Sequence, residues 1–160
     1  MSELISLGHI RPAGITQGEG STLYVTNVLF GGVRKVDVTN GTVTEVVPNG
    51  AHLDRTAVAI AYHNGALFVA GGTGSATLGS VGAVYVYDAA TGRELVSCSP
   101  GSVAASFLNG IAIVGAVAYA TDPQRNRLLL PIRASSKAVT ISNKAVTQRL
   151  NDTGNAALEF

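Results

Sequence analysis

One module is written three times in this chain: a short apolar strand, a tight turn, and a second strand of the Leu-Tyr-Val-Thr-Asn type. The copies are Gly14–Asn27 (GITQGEGSTLYVTN), Ala59–Gly71 (AIAYHNGALFVAG) and Gly110–Asp122 (GIAIVGAVAYATD). The second and third copies have the same length. The first is one residue longer, and the extra residue falls in Gly18-Glu19-Gly20. The second copy turns at Asn64-Gly65, a pair that tolerates the positive φ of a two-residue hairpin. Each copy therefore predicts two antiparallel strands, each with an apolar face that needs a neighbouring sheet.

A further pair of segments extends the pattern. Gly31–Gly41 (GGVRKVDVTNG) and Gly82–Gly92 (GAVYVYDAATG) match position for position, with Asp37 on Asp88 and Asn40-Gly41 on Thr91-Gly92. In both, Asp ends a strand and an Asn-Gly or Thr-Gly turn leads into an outer strand. Paired strands recurring at this spacing are the signature of propeller blades. The chain is predicted to be all-β, with about three four-stranded antiparallel blades, half of a six-bladed propeller. The blades are placed at residues 12–48, 56–99 and 107–132. Residues 133–160 are expected to be edge strands, through Val139, Ile141 and Val146, or a loosely ordered tail. The Gly/Ser/Thr-rich segment from Gly71 to Gly82 reads as a loop within the second blade.

Composition agrees with strands buried on both faces: 19 glycines and only 13% charged residues in 160. No apolar run approaches the roughly 18–20 residues that span a bilayer. The start, MSELISLGHIRPAG, has no basic stretch leading into an apolar one, so it does not read as a secretory signal, and a cytoplasmic location is the default expectation. A net charge of +1 makes no case for nucleic acid or an anionic membrane as partner. The single cysteine, Cys98, excludes an internal disulfide and reads as a small buried apolar residue in an alternating run.

Arg-Pro-Ala-Gly-Ile (11–15), Leu-Tyr-Val-Thr-Asn (23–27), Phe-Leu-Asn-Gly-Ile (107–111) and Tyr-Ala-Thr-Asp (119–122) resemble motifs of a known group. It is the six-bladed propeller superfamily of senescence marker protein, gluconolactonase and strictosidine synthase-like proteins, and the likeness is nearest to its divergent YVTN-type members. The resemblance covers about residues 10–132. It implies a divalent ion, usually calcium, held at the mouth of a central channel by oxygen ligands from the starts of the innermost strands. There it would polarise a carbonyl and activate water. The matching positions here are Ala13, Val58 and Asn109, so only Asn109 is a metal ligand candidate. Where these enzymes often carry Pro-Glu-Gly, this chain has Pro12-Ala13-Gly14. Asp122, at a strand end near Asn109, is the catalytic candidate; the competing reading makes it a backbone cap.

Other constellations have plainer readings. Glu19 lies in the hairpin turn by register and reads as an exposed carboxylate. Asp37 and Asp88 repeat in repeated turns and read as structural. A His52–Asp54 pair has acid/base chemistry available, but no Gly-x-Ser-x-Gly elbow accompanies it. The segment Gly72–Thr77 looks like a phosphate loop but leads to another strand, not to a helix N-terminus. The five tyrosines fall within strands and read as core or inter-blade packing.

Two functional classes follow. One is a gluconolactonase-like, divalent-metal-dependent lactone or ester hydrolase with its site at the channel. The other is a non-catalytic propeller that binds a small molecule or protein there. A metal-free pocket guiding cyclisation of a natural product is a third. Three blades alone would leave two apolar sheet faces open. The expectation is a homodimer that completes the ring, or a truncated part of a longer propeller.

Overall fold

The computed structural model describes residues 4–73, 81–99, 106–115, 117–134 and 139–141. Its twelve strands form three four-stranded antiparallel sheets, and no helix occurs among the described residues. The first sheet holds β1 (Pro12–Gln17), β2 (Thr22–Asn27), β3 (Val33–Asp37) and β4 (Val43–Val47) in chain order. The second holds β5 (Arg55–His63), β6 (Ala66–Thr73), β7 (Val81–Asp88) and β8 (Glu94–Cys98). The third runs β9 (Gly110–Val114), β10 (Val117–Asp122), β11 (Arg127–Ala134) and β12 (Val139–Ile141). The fold is thus all-β and propeller-like, with up-and-down blades.

The segment between Gly71 and Gly82 is shorter as a connection than its composition suggests. β6 continues through Gly71 and Gly72 to Thr73, and these pair with Ala83, Gly82 and Val81 of β7. Glycine at these positions reflects close backbone approach within a sheet, as the site geometry below shows. The rest of the phosphate-loop-like stretch, residues 74–77, lies outside the described residues, as does Val146.

The sheets touch chiefly through their first strands: β1 packs on β5 and β5 on β9. Gly14 makes the first of these junctions possible, because a Cβ there would lie 2.7 Å from the Val58 carbonyl oxygen and 2.8 Å from the Ala59 Cα. Further out, the middle sheet supplies both cores through the period-two alternation of its strands. Leu67, Val69, Tyr85 and Tyr87 join Tyr24, Val33 and Val47 of the first sheet. Phe68, Ala70, Val84 and Val86 face the other way, against Leu108, Ala118 and Ala120. β6 and β7 are therefore buried almost end to end, which accounts for their lack of polar alternation.

Two tyrosines and a turn carboxylate tie the first two sheets at the opposite end. Tyr24 and Tyr62 stack at 5.8 Å, and the Tyr62 hydroxyl donates to Glu19 Oε1 at 2.6 Å. Glu19 does lie in the β1–β2 turn, but it accepts a hydrogen bond from the next blade. Burial and the Glu19 carboxylate both raise the Tyr62 phenol.

The paired aspartates close equivalent turns. Asp37 Oδ1 accepts from the Thr39 hydroxyl (2.6 Å) and amide (2.9 Å), and Asp88 Oδ1 accepts from the Thr91 hydroxyl and amide (both 2.8 Å). These bonds, the hydroxyl's first, hold both carboxyls below the ordinary range. A carboxyl depressed in the folded state stabilises the fold above its unfolded value of about 4, and that contribution is lost as pH falls through the lower folded value. The double variant Asp37→Asn/Asp88→Asn should therefore lose stability less steeply than the parent between about pH 4 and pH 2. Urea melts across that range check it; equal slopes would contradict the account.

Phe68 is fully buried where the middle sheet meets the third. Phe68→Ala should cost about 3–5 kcal/mol, measured by chemical denaturation.

Candidate functional site

The starts of the innermost strands are where the repeat places any site on the ring axis. Ala13 is exposed, Val58 half-buried and Asn109 exposed. Asn109 Oδ1 accepts the Thr121 hydroxyl at 3.1 Å, and its backbone amide donates to the Thr121 carbonyl. The three equivalent positions thus offer two apolar side chains and one amide. A calcium ion wants about six to eight oxygen ligands. These residues do not by themselves fit it, and no group of three or more His, Cys, Asp or Glu converges among the described residues.

Asp122, by contrast, is buried. It is 1% exposed and accepts from the Ser106 hydroxyl (2.9 Å) and the amides of Phe107 (3.4 Å) and Gln124 (3.2 Å). Asn27, its repeat equivalent, is 3% exposed and does the same work: its Oδ1 accepts the amides of Arg11 (3.0 Å) and Leu29 (3.2 Å). Arg11 and Phe107 each stand three residues before Gly14 and Gly110. In both blades, then, an Asx side chain at the end of the second strand clamps the chain entering the innermost strand. The Asn27 amide also donates to Asn49 Oδ1 at 2.9 Å, linking in the loop after β4.

The middle blade solves the problem from the other side. Gly71 replaces the Asx residue, and a Cβ there would lie 1.9 Å from the Thr56 carbonyl oxygen. Thr56, three residues before Ala59, supplies the side chain instead. Its hydroxyl accepts the Gly72 amide at 3.0 Å and lies 3.3 Å from the Gly72 carbonyl oxygen, to which it donates. Asn27, Thr56 and Asp122 are three versions of one clamp.

A second polar cluster has no counterpart in the sequence motifs. Arg55 at the head of β5 reaches across its sheet to Glu94 Oε2 of β8 at 2.5 Å, and to the Tyr87 hydroxyl at 3.3 Å. Its guanidinium carbon lies 4.2 Å from the centre of the Tyr85 ring, a cation–π contact. Burial alone would lower the Arg55 pKa; the Glu94 carboxylate and the Tyr87 hydroxyl outweigh it. Burial pushes the Tyr85 phenol up to about 12 against the opposing pull of Arg55. His52 Nε2 lies 3.5 Å from Glu94 Oε2, so its acidic neighbour is Glu94. Arg55 and Glu94 are 39 residues apart, and no spacing rule joins them. Cys98 is half-buried against the second core, and burial raises its thiol. That leaves little thiolate for nucleophilic chemistry.

No protein-family model matches the chain, and no curated protein matches it. Among solved structures, a europium-containing methanol dehydrogenase is similar at a TM-score of 0.44 and 18% identity, over 90% of this chain and 29% of that one. The chain spans less than a third of that protein's length. The functional assignment therefore rests on the chain's own residues.

Removing either Asx clamp leaves part-buried amides without their acceptor. Asn27→Ala and Asp122→Ala should each destabilise by about 1–3 kcal/mol, read from chemical denaturation midpoints. A loss below about 0.5 kcal/mol would mean that the clamp is ornamental.

Proposed function

We propose that the chain is a non-catalytic module of propeller type that binds an uncharged ligand at the ends of its innermost strands. One observation carries this: of three repeat-equivalent positions where a metal-dependent enzyme needs oxygen ligands, two hold Ala13 and Val58. The third, Asn109, shares its oxygen with Thr121. An opening of methyl and isopropyl groups with one amide favours a neutral surface bearing a single hydrogen-bonding group. Asp122 then acts as a positioning residue, holding the approach to β9.

A lactone or ester hydrolase remains the competing reading through the superfamily resemblance. It would need carboxylates from outside the described residues or from another chain. Calcium separates the two. With calcium raised to about 10 mM, above the roughly millimolar constants of weak protein sites, the melting temperatures of the parent and of Asn109→Ala should stay unmoved. A calcium-dependent rise that Asn109→Ala abolishes would overturn the proposal in favour of a metal-dependent enzyme.

A further inference from the structure

The polar cluster around Arg55 borders the core shared by the first two sheets, and one of its members lacks a partner. Tyr85 is 3% exposed, and its hydroxyl makes no hydrogen bond among the described residues. A buried tyrosine ordinarily sets its hydroxyl on a partner, and an orphan in a native core calls for a physical reason. Arg55 does not supply the missing bond. Its guanidinium carbon lies over the face of the Tyr85 ring, 4.2 Å from the centre, whereas the hydroxyl lies in the ring plane. Arg55 Nη1 donates instead to Glu94 Oε2 and to the Tyr87 hydroxyl.

We propose that the Tyr85 hydroxyl holds a water molecule sealed between the first two sheets, as a fixed part of the fold. The inference is independent of the ligand-binding reading. Residues paired across a sheet share a face, so Ala57, Gly71 and Ala83 form the row between the levels of Arg55 and Tyr85. No side chain in that row is larger than a methyl group, which leaves space beside the ring. Tyr85 and Tyr87 are both closed to solvent, so the space suits a molecule no larger than water.

Charge selects a neutral guest. Arg55 and Glu94 already neutralise each other. An anion would meet the carboxylates of Asp54 and Glu94, both of which act on the Tyr85 phenol. A cation would meet the guanidinium stacked on the same ring. A buried water needs two to four polar partners, and the cluster has them. The Tyr85 hydroxyl is one. The Tyr87 hydroxyl accepts from Arg55 and keeps its own proton to give, and Glu94 Oε1 accepts no bond among the described residues. The water would join the middle of β7 to the Arg55–Glu94 pair, and so to the head of β5 and to β8.

Tyr85→Phe tests this by two measurements. Oxygen-17 relaxation dispersion counts long-lived internal waters without interference from hydroxyl protons, and the parent should show one more than the variant. In urea the variant should unfold at lower concentration, its unfolding constant raised about two- to tenfold, the worth of one hydrogen bond. An orphan hydroxyl predicts the reverse sign, because phenylalanine removes a buried polar group that bonds to nothing. Equal dispersion in the two proteins, or a variant at least as stable as the parent, would overturn the proposal. Should Tyr85→Phe lose its fold, crystals of the parent grown in bromide decide. An ordered oxygen about 2.7–2.8 Å from the Tyr85 hydroxyl supports the water. No density there, or an anomalous bromide peak in its place, overturns it.

Discussion

The structure depends on how closely β1 and β5 approach. With a Cβ at Gly14 the Val58 carbonyl oxygen would be 2.7 Å away, so the two strands meet backbone to backbone. That contact fixes the pitch at which one blade follows the next. Given that pitch, Tyr24 stacks on Tyr62, Thr26 reaches the Val58 carbonyl, and the apolar faces beyond close on each other. The second junction uses Ala59 and Ile111 in place of a glycine contact, with Phe68 supplying the bulk. Small residues on the inner strand and large ones on its neighbour are what let flat blades pack as a stack.

The clamp before each innermost strand follows from the same geometry. A chain that enters a strand beside a buried strand end leaves amides with no ladder partner, and each must find an acceptor. Asn27 and Asp122 provide one as a side-chain oxygen. In the middle blade the backbone comes too near for any side chain at Gly71, and Thr56 supplies the hydroxyl from the opposite strand. Under the proposed function, a buried Asp with these partners belongs to the scaffold, and the candidate site reduces to the inner strand starts.

Much of this was legible. The triple module located the strand pairs, and the Asp37 and Asp88 turns followed from the repeated Asp-x-x-Asn/Thr-Gly pattern. Periodicity was less informative for β6 and β7, which are buried on both faces and carry no polar marker, so Gly71-Gly72 looked like loop when it is paired strand. The Arg55–Glu94 pair and the Glu19–Tyr62 bond were invisible because the first joins the two outer strands of one sheet and the second joins two sheets, and no local pattern sets either distance.

The sequence alone determined the kind of unit and its number. Local strand pairing needs only alternation, a turn that tolerates positive φ, and an Asp to close it, all readable within a few residues. It also determined that the side chains of Ala13 and Val58 offer a metal no ligand, since side-chain chemistry does not depend on packing. Tertiary structure alone decided which way the polar groups at strand ends face. Asp122 is sealed beneath Ser106 and Phe107, and Asn109 is open to solvent. Two candidates thirteen residues apart in the chain were separated because the segment before β9 folds over Asp122, bringing the Ser106 hydroxyl and the Phe107 amide to its carboxylate, while Asn109 stays exposed.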